Sequence, residues 1–205
     1  MSGRKQFDVE RALDQAMGVF WEHSYADASL ELLTTATGLG RGSLYGAFGD
    51  KDALFRRALE RYSAAWSARY EAALSAYPDD PARAIEAFFD VTLARIADPD
   101  LPGGCLIAQS ALQSPNLTPA SRTHVRALLD RQRALVRGAL VRGALTTRGT
   151  GVDADAGDLD EFAAYVVAVN QSLAVLSRSG SPGAELRAVA RLAVETVAHR
   201  LAAEA

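Results

Sequence analysis

The chain of 205 residues is 49% apolar and 23% charged, a balance that is typical of soluble globular proteins and excludes a disordered or collagen-like chain. Its 22 Lys and Arg against 25 Asp and Glu give a formal net charge of -3, so any contact with nucleic acid requires a local basic patch. The single cysteine excludes an intrachain disulfide, and the lack of a long apolar run or an apolar N-terminal segment predicts a cytoplasmic protein that does not cross a membrane.

Helical signals run through the whole chain. Ala, Leu, Arg and Glu, which favour helices, are abundant, and no segment alternates apolar and polar residues as a half-buried strand does. Asp8 and Ser29 are suitable N-caps for the first two helices, and Gly38 is suited to end the second. These signals predict an all-α fold.

A third helix is predicted over about 41–48, and a long fourth helix follows the cap Asp50 and runs from Lys51 to about Tyr77. The remaining predicted helical segments are 85–96, 105–112, 119–148, 158–178 and 183–202. We expect an N-terminal three-helix domain over 1–50 and a C-terminal helical domain over 51–205.

The most informative segment is 29–55, in which two short helices are joined by a tight turn at 38–40. This is the layout of a helix-turn-helix, whose second helix lies in the major groove of DNA. The second helix begins with small and polar residues at 41–43, while Leu44 and Phe48 lie one turn apart and are suited to face a core. The spacing therefore predicts a DNA-reading head.

The same segment resembles the TetR family of transcriptional regulators. The residues that carry the resemblance, all in family order, are Ser29, Gly38, SLY at 43–45, Phe48, Lys51 and Leu54-Phe55. The chain departs from the family pattern in one respect: a serine often opens the recognition helix, and here the residue is Gly40. A glycine in place of serine weakens helix capping by only a few tenths of a kcal/mol.

The resemblance implies a homodimer that binds a near-palindromic double-stranded operator and dimerises through 158–178 and 183–202. It implies a repressor that a small ligand releases, although the residues do not distinguish repressor from activator. The residues that it places at DNA are Thr34, Thr35, Arg41, Gly42, Ser43, Tyr45 and Lys51. Arg41, Ser43 and Tyr45 would face the bases, and Thr34, Thr35 and Lys51 would lie near phosphates.

We expect a mostly apolar ligand pocket beneath the fourth helix, because binding sites combine apolar walls with a few polar groups. The candidate wall residues are Tyr62, Trp66, Phe88, Phe89, Leu128 and Phe162. The candidate polar anchors are Gln109, His124 and Asn170. For any one aromatic residue, a place in the ordinary core is the favoured interpretation. A pocket built from the set as a whole predicts a largely apolar or aromatic effector.

Cys105 is a further candidate for the effector site. It follows Pro102-Gly103-Gly104 and opens an apolar helix, a setting in which backbone N–H groups favour the thiolate. Some members of the resembling branch sense electrophiles through a cysteine in a comparable setting. The alternative is that Cys105 is a small buried apolar residue, as most free cysteines are.

Two alternative functions stand beside a ligand-responsive regulator: an enzyme and a constitutive DNA-binding protein. An enzyme is not predicted, because the three histidines show no metal-ligand spacing and no nucleophile elbow is present. No metal or cofactor is predicted either, since the acidic segment 153–160 lacks the glycine and glutamate positions of a calcium loop. A constitutive DNA-binding protein without an effector stays as the alternative function.

The charge pattern of the arginine-rich segment 122–148 allows two interpretations. Residues 122–148 carry seven arginines and one acid, Asp130, and read either as a second nucleic-acid surface or as a solvated helix face balanced by the acidic loop 153–161. We favour the second interpretation. In the head, Arg4 and Lys5 could add to Arg41 and Lys51 on one basic side.

Overall fold

The computed structural model describes residues 8–147 and 156–203 and, within these ranges, contains nine α-helices, one 3-10 turn and no strand. The predicted all-α fold is confirmed. The helices are α1 (Val9–Asp27), α2 (Leu30–Thr37), α3 (Arg41–Phe48), α4 (Lys51–Ser75), α5 (Pro81–Ala97), α6 (Leu106–Leu112), α7 (Pro119–Thr147), α8 (Ala156–Arg178) and α9 (Gly183–Ala203).

Local capping explains why the N-terminal helices begin where the sequence predicts. The carboxylate of Asp8 accepts two N–H groups of the first turn of α1 at 3.0 and 3.1 Å. The Ser29 hydroxyl accepts one in α2 at 3.1 Å, and the Asp50 carboxylate accepts one in α4 at 2.7 Å. Gly38 ends α2 in the left-handed conformation, with a φ of 65°.

Three features of the chain differ from the prediction or lie beyond the structure. α4 ends at Ser75, two residues before the predicted Tyr77. Ser24 interrupts α1 with φ 66° and ψ 174°, a conformation that non-glycine residues rarely adopt, and the apolar stripe of α1 gave no sign of this break. The predicted basic residues Arg4 and Lys5, the end of the arginine-rich segment at Arg148, and residues 153–155 of the acidic loop lie outside the described residues, whereas 156–161 of that predicted loop belong to the start of α8.

The DNA-reading head, α1 to α3, shares one hydrophobic core with the helical body. α1 packs against α4 as well as α2, and the ring of Phe20 lies 5.0 Å from that of Phe55 on α4. Trp21 contacts Tyr62 about two turns further along α4, with ring centres 4.9 Å apart. α4 therefore joins the head to a body in which α5 packs between α8 and α9.

α8 is long and apolar enough, by length and composition alone, to span a membrane, with a mean hydropathy of 1.2 over Gly157–Arg178. The helix packs against α5, α7 and α9, and 44% of this window is buried inside the protein. Core helices of soluble proteins have the same length and composition, so this helix gives weak support for a membrane span.

Candidate functional site

The two helices of the predicted helix-turn-helix, α2 and α3, which form the reading unit, pack against the core of the protein on one side only. Leu33 of α2 and Leu44 of α3 are fully buried, and Phe48 joins them in the core. Gly40 is the N-cap of α3 and makes no side-chain capping bond, as the replacement of the family's serine predicts. Because the core uses only one side of α3, the opposite face is left to solvent.

Four predicted DNA contacts lie on this face near the start of α3. Arg41, Gly42 and Ser43 are exposed, Tyr45 is half-buried, and the Arg41 guanidinium lies 6.0 Å from the centre of the Tyr45 ring. A Cβ placed on Gly42 would meet no atom within 4 Å, so the backbone here is open to approach. A slim helix end that bears donors in this way fits the major groove.

The three residues assigned to phosphates have different surroundings. Thr35 is exposed, whereas the Thr34 hydroxyl donates to a carbonyl of its own helix at 3.0 Å. The Lys51 ammonium donates to the Ala26 carbonyl at 3.5 Å and lies 4.8 Å from the centre of the Tyr25 ring. Burial lowers the pKa of Lys51, and Asp27 partly opposes this change. Lys51 thus contacts the end of α1 in this structure.

Arg57 is a basic residue of the head that the motif did not single out. Its guanidinium lies 4.7 Å from the centre of the Phe48 ring, and it donates to the Ala47 carbonyl at 3.4 Å at the C-terminal end of α3. Cations are favoured at this end of a helix dipole. In sequence Arg57 lies about two turns past the N-cap Asp50 on α4, so only knowledge of how α3 meets α4 identifies its role.

A second feature missed by the sequence is a polar junction between α4 and α7, centred on Asp52. One carboxylate oxygen accepts from Thr118 at 2.8 Å and from Ser121 at 2.6 Å, and the other pairs with Arg56. Thr118 is also the residue just before α7 and caps it through the Ser121 N–H at 3.2 Å. The start of α4, directly after the reading unit, is thereby fixed to the start of α7.

Among the predicted pocket walls, the structure brings Tyr62 and Trp66 together. Their ring centres lie 6.2 Å apart, and Trp21 of α1 packs edge-on against both. Phe88 and Phe89 form a separate group with Tyr70, and Phe88 lies 4.7 Å from that ring. Leu128 and Phe162 are buried as well, at 1% and 8% exposure.

The predicted polar anchors do not face one common space. Asn170 accepts from the Thr92 hydroxyl at 2.6 Å inside the core, and Gln109 donates to the Gly103 carbonyl at 3.2 Å. His124 lies on the outer side of α4 and α7, with its Nε2 atom 3.1 Å from the Glu60 carboxylate. Burial lowers the pKa of His124, and Glu60 partly opposes this.

One opening near these residues is a groove of about 360 Å³, which we call the α1–α6–α8 groove. Its lining includes Ser24 of α1, Cys105 and Gln109 at the start of α6, and Val175 and Arg178 of α8. Cys105 is 6% exposed and takes the N-cap position of α6 without a side-chain capping bond. The groove lies where the last turn of α1 in the head meets the body.

Arg178 fastens the head to the body at the rim of this groove. Its guanidinium donates to the carbonyls of Trp21 and Glu22 at 3.3 Å and to that of Gly103 at 3.2 Å. Gly104 adopts a φ of 80°, and a Cβ there would lie 2.7 Å from the Arg178 side chain. Gly104 is thus favoured both by its backbone conformation and by the arginine that passes over it, whereas a Cβ on Gly103 would make only an ordinary contact at 3.9 Å.

Arg95 is a buried arginine that the sequence reasoning passed over. It is 3% exposed, its guanidinium carbon lies 5.2 Å from the centre of the Trp66 ring, and one amino group donates to the Gly104 carbonyl. A signal for it exists: position 95 continues the spacing of Ile85, Phe88 and Thr92 along the apolar face of α5. A charged arginine on the core face of a helix is costly to bury, so it requires an ion-pair or hydrogen-bond partner inside the protein.

The apolar stripes of α8 and α9 are used mainly inside the protomer. Phe162, Val166 and Leu173 are buried on α8, and Ala193 in the middle of the α9 stripe is 1% exposed. The large apolar residues left exposed on these helices are Tyr165, Val175 and Leu192. A contact between two copies through these helices therefore has to use residues beside the stripes.

Within the part of the chain that the structure describes, no group of three or more His, Cys, Asp or Glu side chains is placed to hold a metal ion. The chemistry offered by these surfaces is binding: an exposed helix end with donors in the head, and buried aromatic and basic groups in the body.

Two family models match the chain on both sides of the head–body junction. A model described as bacterial regulatory proteins, tetR family, matches residues 12–58, and one described as tetracyclin repressor-like, C-terminal domain, matches residues 81–194. The chain belongs to the TetR family. It is a DNA-binding transcriptional regulator and not an enzyme.

Relatives of this TetR-family chain align with it over nearly its whole length. The HTH-type transcriptional repressor ComR of Escherichia coli is 28% identical over 91% of this chain and 87% of its own length. The HTH-type transcriptional regulator YezE of Bacillus subtilis is 27% identical over 87% of this chain and 90% of its own length. A cysteine mutant of the TetR family regulator CifR, solved with 26-bp double-strand operator DNA, is 31% identical, covers 93% of this chain and 97% of its own, and has a TM-score of 0.83.

Proposed function

We propose that this TetR-family regulator is a cytoplasmic homodimeric repressor that a small, largely apolar ligand releases from a near-palindromic operator. The observation that carries the proposal is the open, donor-bearing start of α3 on a head whose core continues into an aromatic-rich body. ComR is named a repressor, and CifR was solved on operator DNA, which supports the same role here.

For DNA contact, we propose that Arg41, Ser43 and Tyr45 read base edges while the backbone at Gly42 passes close to the groove. Thr34, Thr35 and Lys51 are proposed to lie near phosphates. Lys51 has to exchange its contact with the Ala26 carbonyl for a phosphate, which weakens its expected contribution. Two heads related by a two-fold axis would read the two halves of the operator.

For release, a ligand has to bind more tightly to the state of the dimer whose heads are badly spaced. Two contacts connect such a ligand site to the head. They are the Arg178 bonds to α1 at the α1–α6–α8 groove and the Asp52 junction at the start of α4. A shift of α6 or α7 would reach the reading unit through either contact.

The test begins with operator fragments selected from the source genome by the purified protein. On the selected site, Arg41→Ala is expected to cost about 1–3 kcal/mol and to relax specificity at one base pair, because a bidentate contact to guanine contributes that much. Lys51→Ala should weaken binding to all sequences alike and flatten the salt dependence.

Arg83→Ala is a matched control, since Arg83 also stacks on a tyrosine, 5.0 Å from the centre of the Tyr77 ring, but on α5 in the body. It should bind the operator as the wild type does. Equal losses at every operator position for Arg41→Ala would contradict the base-reading role. A thermal-shift screen of metabolites that finds no ligand would favour the alternative, a constitutive DNA-binding protein.

A further inference from the structure

Arg95 is a buried cation for which the described part of the chain supplies no counter-ion. Its side chain is 97% removed from solvent, and no described carboxylate pairs with it. One amino group donates to the Gly104 carbonyl, and the Tyr70 hydroxyl is a further hydrogen-bonding neighbour of the guanidinium, while Nε and Nη2 have no partner at normal hydrogen-bond geometry. A buried, unpaired guanidinium destabilises a protein, because the charge has lost its hydration without gaining a partner.

The two unpartnered nitrogens have a specific geometry. Nε and Nη2 lie on the same edge of the guanidinium, and this is the pair of donors that binds the two oxygens of a carboxylate side-on. The buried Nε1 atom of Trp21 is a further donor without a partner. Donors without acceptors are therefore concentrated here, and the missing group is one that supplies acceptors and negative charge.

Aromatic rings surround this edge. Arg95 lies over the Trp66 ring at 5.2 Å, and Trp66 contacts both Trp21 and Tyr62. Burial and the neighbouring Cys105 raise the pKa of Tyr62 well above its ordinary value, so its hydroxyl stays neutral and brings no counter-charge. The chemistry around the cation is flat and apolar, and suits an apolar or aromatic body.

The α1–α6–α8 groove shares one wall residue with the surroundings of this cation. Cys105 lines the groove and is also a close electrostatic neighbour of Arg95. The two adjacent carbonyls of Gly103 and Gly104 are held by Arg178 at the groove and by Arg95 behind it.

We propose that the effector carries a carboxylate, which Arg95 binds side-on through Nε and Nη2, and an apolar body that packs against Trp21, Trp66 and Tyr62. This inference rests on the proposed function, since it names the chemical class of the ligand that releases the operator. Recruitment of Arg95 by the ligand alters its bond to Gly104, and the neighbouring Gly103 is bonded to Arg178, which holds the carbonyls of α1. The ligand thereby acts on the head.

The experiment compares carboxylates with their neutral amides: benzoate with benzamide, and 3-phenylpropionate with 3-phenylpropanamide, with acetate as the probe without an apolar body. Binding is followed by the fluorescence of the two tryptophans of the chain, Trp21 and Trp66, both of which lie at the site. Each aromatic carboxylate is expected to bind at least about tenfold more tightly than its amide, because charge-assisted bonds are roughly twice as strong as neutral ones.

In Arg95→Met this preference should fall to about one, while Arg69→Met should keep it. Arg69 is the matched control, since it lies over the same Trp66 ring, at 4.3 Å, but is exposed. Arg95→Lys keeps the charge without the paired donors and should lose most of the preference; it replaces Arg95→Met if that variant does not fold.

Operator release by the same compounds is measured separately by fluorescence anisotropy. If amides release DNA as well as carboxylates do, or if the preference survives in both Arg95 variants, the carboxylate inference is wrong while ligand release stands. If carboxylates bind through Arg95 without releasing DNA, the site stands and the proposed function is wrong. Binding of acetate as tight as that of benzoate would reduce the site to a general anion site and contradict the inference, and failure of all the probes to bind would count against both.

Discussion

The junction at Asp52 gives a prediction about how the head is joined to the body. The side chain of Asp52 is 15% exposed and accepts two hydroxyl hydrogen bonds on one oxygen, from Thr118 and from the fully buried Ser121. Hydrogen bonds to charged groups contribute about 1.5–3 kcal/mol each, and a buried hydroxyl left without its acceptor costs about 1–3 kcal/mol. Because these contributions overlap, we expect Asp52→Ala to lower the free energy of unfolding by about 3 kcal/mol.

The measurement is urea unfolding followed by circular dichroism, at one fixed protein concentration because a dimer's stability depends on it. For a chain of this size the same loss corresponds to a fall in Tm of about 6–12 °C. Asp52→Asn keeps an acceptor oxygen and loses only the charge, so its loss should lie near about 1 kcal/mol.

Asp14→Ala is the control, because Asp14 also receives two bonds, from the Arg61 guanidinium at 2.8 and 2.9 Å, but the pair is exposed to solvent. Exposed ion pairs contribute about 0–1 kcal/mol. If Asp52→Ala and Asp14→Ala lose the same free energy, the junction does not hold α4 to α7 and the reasoning is refuted.

Three other outcomes are expected. Leu192 is an apolar residue of α9 that is 62% exposed in the protomer, and Leu192→Glu places a charge in the proposed dimer contact. We expect monomers in sedimentation and a loss of operator affinity. An unchanged dimer would place the interface elsewhere. Ser24→Gly should raise the free energy of unfolding by about 1 kcal/mol, since it removes about 1–3 kcal/mol of backbone strain and adds less than that in chain entropy, and a loss of stability would mean that the Ser24 conformation is unstrained. The hydrogen bond from Arg131 holds the pKa of Glu60 below its ordinary value of 4.5, so stability from this pair is present above that pH and is lost as the pH falls through the folded value; Glu60→Gln should make acid unfolding less steep in that range.

The parts of the fold that the sequence predicts are those that depend on neighbouring residues. Asp8, Ser29 and Asp50 cap their own helices, and Gly38 makes the turn of the reading unit by its own backbone conformation. The contacts proposed for Arg41 at DNA come from a motif of the same kind. Signals of this range are present within a few residues of the chain, which is why they can be recognised there.

The parts that the sequence does not predict depend on residues far apart in the chain. The spacing of the α9 stripe does not show that Ala193 faces its own protomer while Leu192 faces solvent. Asp52 meets Thr118 across 66 residues, and of the predicted anchors Asn170 lies inside the packed core while His124 pairs with Glu60 on its outer side. Such contacts are decided by how the helices pack, and helical periodicity leaves that open.

The ring pair Phe20–Phe55 has a consequence for exchanging heads between members of the family. Because Phe20 is covered by a residue of α4, a fragment cut at residue 50 would leave this ring and Trp21 in water and is expected not to hold its shape. A chimaera that is to read a new operator therefore has to carry the first three turns of α4 with the donor head. The acceptor body then meets a foreign surface at Tyr62, so operator specificity cannot be transplanted without part of the proposed effector site.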